Sequence, residues 1–338
     1  MFEKIRVFSI SGMEEIKQNT VDATRVHLPT RWEVEPGSST VNRFSNTEIE
    51  VQVDNVREQY IVVICTQAHP VNETVIELMW LLDAIVNSDP KDVLVVFPYM
   101  PYCRSDRKNQ SRISVGGQII PRIINRVSGV RKVLLIESHD PHIKQYFDPT
   151  ANEIPAMPFL IRNVREALPD MNPENSIVVF PDAGAGKRYE KVPDFLGWPT
   201  AYVDKHLNGD VENPTAKAIV GDVNGKHCLI LDDEVLTGKT VIADAGKLLE
   251  AGAESVRVAA VHGTLACKGM SSVQLFEMLS ASPIEHFYFT TSVTQGVPAD
   301  LDQVSASKFS FFKISDLIGQ AVARYIQGEP LSELHKYA

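Results

Sequence analysis

Cysteine is scarce. Cys65, Cys103, Cys228 and Cys267 are the only four in 338 residues, far apart and without a CxxC pair. That spacing argues against a disulfide framework and against a structural zinc site. Long hydrophobic runs are missing as well. No window approaches the roughly 18 uninterrupted apolar residues of a membrane-spanning helix, so no bilayer crossing is expected. The opening MFEKIRVFSI carries charge inside a short apolar run and has no cleavable hydrophobic stretch. With unpaired thiols, this points to a reduced, cytoplasmic setting. Positive charge is in deficit, with a net charge of −10. General binding to nucleic acid or to an anionic membrane is therefore not expected, although a local cationic pocket for a small anion remains compatible with that balance. No low-complexity segment or charge run is present, and 44% hydrophobic content excludes disorder.

What is present is a series of short apolar runs rich in β-branched residues. They are IRVFSI near the start, Tyr60–Cys65, Val93–Pro98, Lys132–Glu137, Ser176–Pro181, His227–Asp232, Val256–Val261 and His286–Thr291. Runs without alternation, bounded by polar loops, predict strands buried on both faces. Between them lie helical patterns. In Val71–Asn87, residues Val75, Ile76, Met79, Leu82 and Val86 recur near a 3.6-residue period and are read as a core stripe; Thr240–Ala251 and Asp316–Ile326 read similarly. The fold class expected is α/β, with two doubly wound parallel-sheet domains, because strand–helix alternation brings helices onto both faces of a parallel sheet. The order of elements repeats after Asn152–Pro158, a two-proline segment taken as the junction. Open α/β sheets bind ligands beyond the carboxyl ends of their strands, so the polar residues there are the candidates for chemistry.

The strongest of these signals is Leu229–Thr240, LILDDEVLTGKT. An apolar strand delivers Asp232 and Asp233 to its end, and Thr237, Gly238, Lys239 and Thr240 open a helix. Carboxylates placed there can accept hydrogen bonds from a sugar diol or hold hydrated Mg²⁺. Amides and hydroxyls at a helix start suit a phosphate. Together they describe a site for a ribose 5-phosphate moiety. A Walker A reading fails because the required glycine position is occupied by Asp233, and GxGxxG fails at Tyr189.

This acidic strand-end motif resembles the phosphoribosyl-diphosphate site of type I phosphoribosyltransferases and ribose-phosphate diphosphokinases. Other segments resemble the diphosphokinases specifically. Arg43–Glu48, RFSNTE, is similar to their adenine-contacting segment and matches it at Phe44, Asn46 and Glu48. Pro98–Lys108, PYMPYCRSDRK, places Arg104, Ser105 and Asp106 at ATP-binding positions. Ser138-His139 through Phe147-Asp148 resembles the segment whose histidine helps bind Mg²⁺–ATP. Pro181–Arg188, PDAGAGKR, gives Asp182 the ribose-phosphate or metal role, and Val203-Asp204-Lys205 resembles the catalytic loop with its essential lysine. The resemblance extends from about Ile5 to the closing GEPLSEL. Ser111 and Arg112 resemble a phosphate- or nucleotide-regulated region.

The resemblance implies two domains of the type I phosphoribosyltransferase kind. Residues 1–155 would form an ATP-binding domain and 156–315 a phosphoribosyl-binding domain, with a helix from about 316 to 338 packed on the first. The active site would lie in the crevice between them. It further implies transfer of the β,γ-diphosphoryl group of ATP to the anomeric hydroxyl of ribose 5-phosphate, with Mg²⁺ as cofactor and AMP released. Lys205, Arg104 and His139 would be catalytic, His139 and Asp182 would meet the metal, and a dimer-based homo-oligomer, up to a hexamer, would assemble. Taken singly these residues have plainer readings. Lys205 reads as a solvated lysine, His139 with His142 as a capping or packing pair, Arg104 as a surface ion-pair residue, Asp182 as a helix cap and Phe44 as core.

The chain also departs from the family. Leu236 stands in place of an acid, Lys239 of a glycine, Leu207 of an arginine and Ser105 of a glutamine. Leu236 and Lys239 together raise local positive charge by about two units, which also suits a larger acceptor such as ADP-ribose, giving ADP-ribose diphosphate for NAD synthesis. Leu207 removes a bidentate phosphate ligand, as a non-catalytic regulatory homologue could tolerate.

Overall fold

The computed structural model describes residues 3–66, 70–105, 108, 110–127, 129–204, 218–293 and 297–337. The chain divides into two compact units, one comprising Met1–Ala156, Ser292–Thr294 and Lys313–His335, the other Met157–Thr291, Gln295–Phe312 and Lys336–Ala338.

The first unit begins β1 (Glu3–Ser9), α1 (Glu14–His27), β2 (Trp32–Pro36), β3 (Ser39–Arg43), β4 (Ile49–Val53), β5 (Tyr60–Ile64), α2 (Val71–Val86), β6 (Asp92–Phe97), α3 (Gly116–Ile124), β7 (Val130–Ile136) and β8 (Asn152–Ile154). Six strands form one sheet in the order β2-β1-β5-β6-β7-β8, and every pairing is parallel. β6 shows why the unalternating runs become strands. Val93 through Phe97 are all buried, so both faces of the strand are covered, and each side chain of this kind gains about 1.5–3 kcal/mol on leaving water. β3 and β4 form a separate antiparallel hairpin whose second strand lies against α2.

The apolar stripe of α2 differs from the expected one. Val75, Leu78, Leu81, Leu82 and Ile85 are buried, whereas Ile76 and Trp80 are more than two-fifths exposed. The helix is apolar on more than one side, so a 3.6-residue period fits several stripes, and packing against the sheet selects one.

The second unit runs α4 (Met157–Ala167), β9 (Ser176–Phe180), α5 (Ala183–Arg188), α6 (Lys191–Leu196), β10 (Thr200–Asp204), β11 (Ala218–Val220), β12 (His227–Val235), α7 (Lys239–Glu250), β13 (Ser255–Gly263), α8 (Ser272–Ser280), β14 (His286–Thr290), α9 (Gln303–Ala306) and β15 (Phe309–Phe312). Its seven-stranded sheet has the order β11-β10-β9-β12-β13-β14-β15. The pairings are parallel except for β10 with β11 at the edge. β12 is longer than the expected run and carries Asp232, Asp233 and Glu234 within its last turns of ladder, because β13 pairs with it as far as Val235↔Gly263. Among the described residues, no helix is long and apolar enough to cross a membrane.

The chain then returns to the first unit as α10 (Ser315–Gln327), which packs on α1. The contact is close because Gly319 faces Ala23 and Thr24. A Cβ at Gly319 would lie 2.8 Å from the Ala23 carbonyl carbon and from the Thr24 nitrogen, both backbone atoms that cannot rotate aside. Gly319→Val is expected to destabilise the fold by about 1–3 kcal/mol through overpacking. A urea midpoint equal to that of the parent chain would show that the two helices do not meet there.

Candidate active site

In the second unit, β9 and β12 are parallel neighbours, paired from His227↔Ser176 to Ile230↔Val179. Beyond those pairs, β9 leads to Asp182 and β12 to Asp232 and Asp233, so three carboxylates gather at the carboxyl ends of adjacent strands. Asp232 Oδ1 accepts a hydrogen bond from the Asp233 amide at 2.9 Å. Burial pushes the Asp232 carboxyl up to about 8; the neighbouring Asp233 reinforces the shift, and Asp182 adds to it. The pair therefore takes up a proton more readily than an exposed carboxylate does, and a protonated carboxyl can donate as well as accept a hydrogen bond. Asp233 has a cation beside it, Arg188 from the last turn of α5, at 3.6 Å. Asp182 caps α5, with Oδ1 accepting from the Ala185 amide at 2.9 Å, so its helix-cap reading describes an observed bond.

The chain after β12 turns through Leu236, Thr237 and Gly238 into α7. Gly238 sits at φ 73°, a left-handed conformation that favours glycine, and a Cβ there would push the Leu279 side chain aside. Thr237 Oγ1 accepts from the Lys239 amide at 3.4 Å, and Lys239 and Thr240 are exposed at the helix start. The first turn of a helix has amides that the helix itself cannot satisfy, and its dipole favours an anion. One strand thus supplies oxygen acceptors for hydroxyls and, four residues later, donors for a phosphate. Thr264 supports the strand from β13's end, donating from Oγ1 to Glu234 Oε1 at 2.7 Å.

In the first unit, Phe44, Asn46 and Glu48 lie in the turn between β3 and β4. Asn46 Nδ2 donates to Glu48 Oε2 at 2.7 Å, and the Phe44 amide donates to the Glu48 carbonyl at 2.9 Å. Phe44 is 52% exposed, which removes its reading as a core residue: a two-stranded ribbon has no interior at its tip. Arg104 and Ser105 follow β6. Arg104 is exposed, while Ser105 is bound to the start of α3, its Oγ accepting from the Gly116 amide at 3.2 Å and its carbonyl from the Gly117 amide at 2.9 Å. His139 is half-buried, three residues beyond β7. The neighbouring Asp140 caps the following turn, so His142, exposed and 2.7 Å from Asp140 Oδ1, belongs to the capping arrangement. Asp106, Lys205 and Leu207 lie outside the described residues.

Hard oxygen donors at strand ends fit Mg²⁺, which takes one or two carboxylates and keeps water and phosphate oxygens as its other ligands. Among the described residues no three His, Cys, Asp or Glu side chains converge into a ready-made cage. Arg188 was not singled out by sequence reasoning as a site residue. The available signal was its place at the end of PDAGAGKR, one helical turn and a half beyond Asp182.

Residues 5–127 match the family described as the N-terminal domain of ribose phosphate pyrophosphokinase, and residues 205–336 match the phosphoribosyl synthetase-associated domain. The ribose-phosphate pyrophosphokinase of Aquifex aeolicus (strain VF5) is 30% identical over 295 residues, 87% of this chain and 89% of that one. That of Rhizobium meliloti (strain 1021) is 31% identical over 299 residues, 88% and 92% of the two chains. The crystal structure of phosphoribosylpyrophosphate synthetase from Mycobacterium smegmatis superposes with a TM-score of 0.81 at 23% identity, covering 96% of this chain and 100% of that one. The fold is α/β with parallel sheets, of the type I phosphoribosyltransferase kind.

The raised Asp232 carboxyl has a consequence for stability. Between the unfolded value of about 3.9 and the folded value, the native chain holds a proton that the unfolded chain has released. Stability from this group therefore falls as pH rises through that window, and is fully lost above about 8. Asp232→Asn should raise the melting temperature more at about pH 9 than at about pH 5. An equal shift at both pH values in thermal melts would contradict the assignment.

Proposed function

The chain belongs to the ribose-phosphate pyrophosphokinase family and is a diphosphotransferase enzyme, and from that premise we propose that it transfers the β,γ-diphosphoryl group of Mg-ATP to the anomeric 1-hydroxyl of ribose 5-phosphate. AMP leaves, and phosphoribosyl diphosphate forms. The observation that carries this reading is the strand-to-helix corner of the second unit, where half-buried acids and a phosphate-suited helix start stand four residues apart.

In this reading Asp232 and Asp233 hold the ribose hydroxyls. The pair offers carboxyl oxygens to neighbouring ribose hydroxyls, with the Arg188 guanidinium 3.6 Å from Asp233 balancing its charge. The 5-phosphate rests on Thr237, Gly238, Lys239 and Thr240, with the Lys239 ammonium adding a cation at the mouth of the helix. Phe44, Asn46, Glu48, Arg104, Ser105 and Asp106 serve ATP. The adenine would meet the exposed Phe44 ring and the hydrogen-bonded Asn46–Glu48 pair, whose mutual bond holds both amide and carboxylate in place. Arg104, His139 and Lys205 offset charge on the transferring phosphoryl oxygens, the main demand of such a transfer. His139 and Asp182 are the residues proposed to hold Mg²⁺, which would supply further charge neutralisation when bound. A cytoplasmic homo-oligomer completes the proposal, supported by the absence of paired cysteines and by the family resemblance.

The test is incubation with ATP, Mg²⁺ and ribose 5-phosphate, with products weighed by mass spectrometry. Equal amounts of AMP and phosphoribosyl diphosphate are expected, with no product from ADP-ribose under the same conditions; product from ADP-ribose alone would overturn the acceptor assignment. Asp233→Ala should raise KM for ribose 5-phosphate by about tenfold or more, the scale of a lost charge-assisted bond, with a smaller effect on KM for ATP. Unchanged saturation by ribose 5-phosphate would remove Asp233 from the acceptor site.

A further inference from the structure

The carboxyl end of β7 carries an unusual residue. Glu137 is 3% exposed and adopts φ 47°. A left-handed backbone is unfavourable for a residue with a long side chain, and it persists where the surroundings over-determine it. Burial of an acid is costly too, unless its oxygens are engaged. Here Oε2 is held, accepting from the Ala156 amide at 2.6 Å, and the Glu137 backbone amide donates to the Ile154 carbonyl at 3.0 Å.

The following residues are held as well. The Ser138 amide donates to Glu153 Oε1 at 3.1 Å, and Glu153 Oε2 lies 3.3 Å from Lys144 Nζ. On the far side, Asp140 Oδ1 accepts from the His142 amide at 2.8 Å. His139 therefore sits between pinned neighbours on both sides, in a turn that starts from a strained, buried acid. A residue needed only to fill the core would be apolar and unstrained at this position.

We propose that Glu137 is a positioning residue: by clasping the Ala156 amide it fixes the turn that presents His139 to the reacting phosphates. This rests on the reading of His139 under the proposed function. The role requires an acceptor oxygen at the reach of a glutamate arm, and it does not require the charge. Precise placement of a group acting on the transition state is worth more than its mere presence, since a small displacement in the site lowers turnover steeply.

The experiment compares Glu137→Ala, Glu137→Gln, His139→Ala and the double variant Glu137→Ala/His139→Ala in the full chain, using the ATP and ribose 5-phosphate assay, with thermal melting to confirm folding. Glu137→Ala is expected to lower kcat by about tenfold, with KM for ribose 5-phosphate within about twofold of the parent. Glu137→Gln keeps a carbonyl oxygen for the Ala156 amide and should stay within about threefold of the parent kcat. The double variant should be no slower than His139→Ala, because the two residues act as one unit. Should Glu137→Ala not fold, Glu137→Asp, whose arm is one methylene shorter, replaces it with the same expectations.

Glu137→Gln as slow as Glu137→Ala would overturn the proposal, as would losses that multiply in the double variant. A folded Glu137→Ala with parental turnover beside a slow His139→Ala overturns the positioning role alone. A His139→Ala variant with parental turnover overturns the reading of His139 and the positioning role together.

Discussion

Like charges crowded at the end of one strand impose the main constraint on this molecule. Asp232 and Asp233 are consecutive, Asp182 lies at the end of the neighbouring strand, and all three are partly withdrawn from water. Ionising all three at once would be unfavourable, so the site answers in two ways. Burial and the neighbouring acids raise the Asp232 carboxyl, and Asp233 has the Arg188 guanidinium beside it. Both answers are useful to a site for a polyhydroxylated ligand. A pair of carboxyls that takes up a proton readily can offer both donor and acceptor to neighbouring hydroxyls.

The turn after β12 belongs to the same economy of space. Gly238 adopts a left-handed conformation that favours glycine, which brings the start of α7 close behind the acids. The distance between hydroxyl-binding and phosphate-binding groups is then set by a few residues of backbone. Such a corner is rigid because β13 pairs with β12 to its last residue and because Thr264 ties down Glu234. In the first unit rigidity comes from different devices. Ser105 is stitched by two bonds to the start of α3, and the turn bearing His139 is held by carboxylates from β7 and β8.

The two kinds of evidence agree where the physics is local. All eight apolar runs are strands, because an unalternating β-branched segment can hide both faces only inside a covered sheet. α2, α7 and α10 fall within one or two residues of their periodic segments. The divergences have physical causes. β2, β3, β4, β8, β11 and β15 lie at sheet edges or in the hairpin, and β10 lies inside the second sheet; these short segments fall outside the eight unalternating apolar runs and gain their hydrogen bonds from neighbouring strands. In α2 the buried stripe is Val75, Leu78, Leu81, Leu82 and Ile85 since the sheet decides which apolar face turns inward. Phe44 is exposed because a ribbon tip leaves nothing for it to pack against.

From residue order alone came the parallel α/β architecture, the acids ending β12 and the hydroxyl-rich helix start, all of which follow from side-chain chemistry over a dozen consecutive positions. Folding in three dimensions settled that burial and neighbouring acids raise the Asp232 carboxyl, which arginine accompanies Asp233, and how Glu137 reaches the Ala156 amide nineteen residues away. Those features depend on burial and on groups remote in the chain. Electrostatic interaction falls with distance through space and with access of water, and neither quantity is written in any local stretch of sequence.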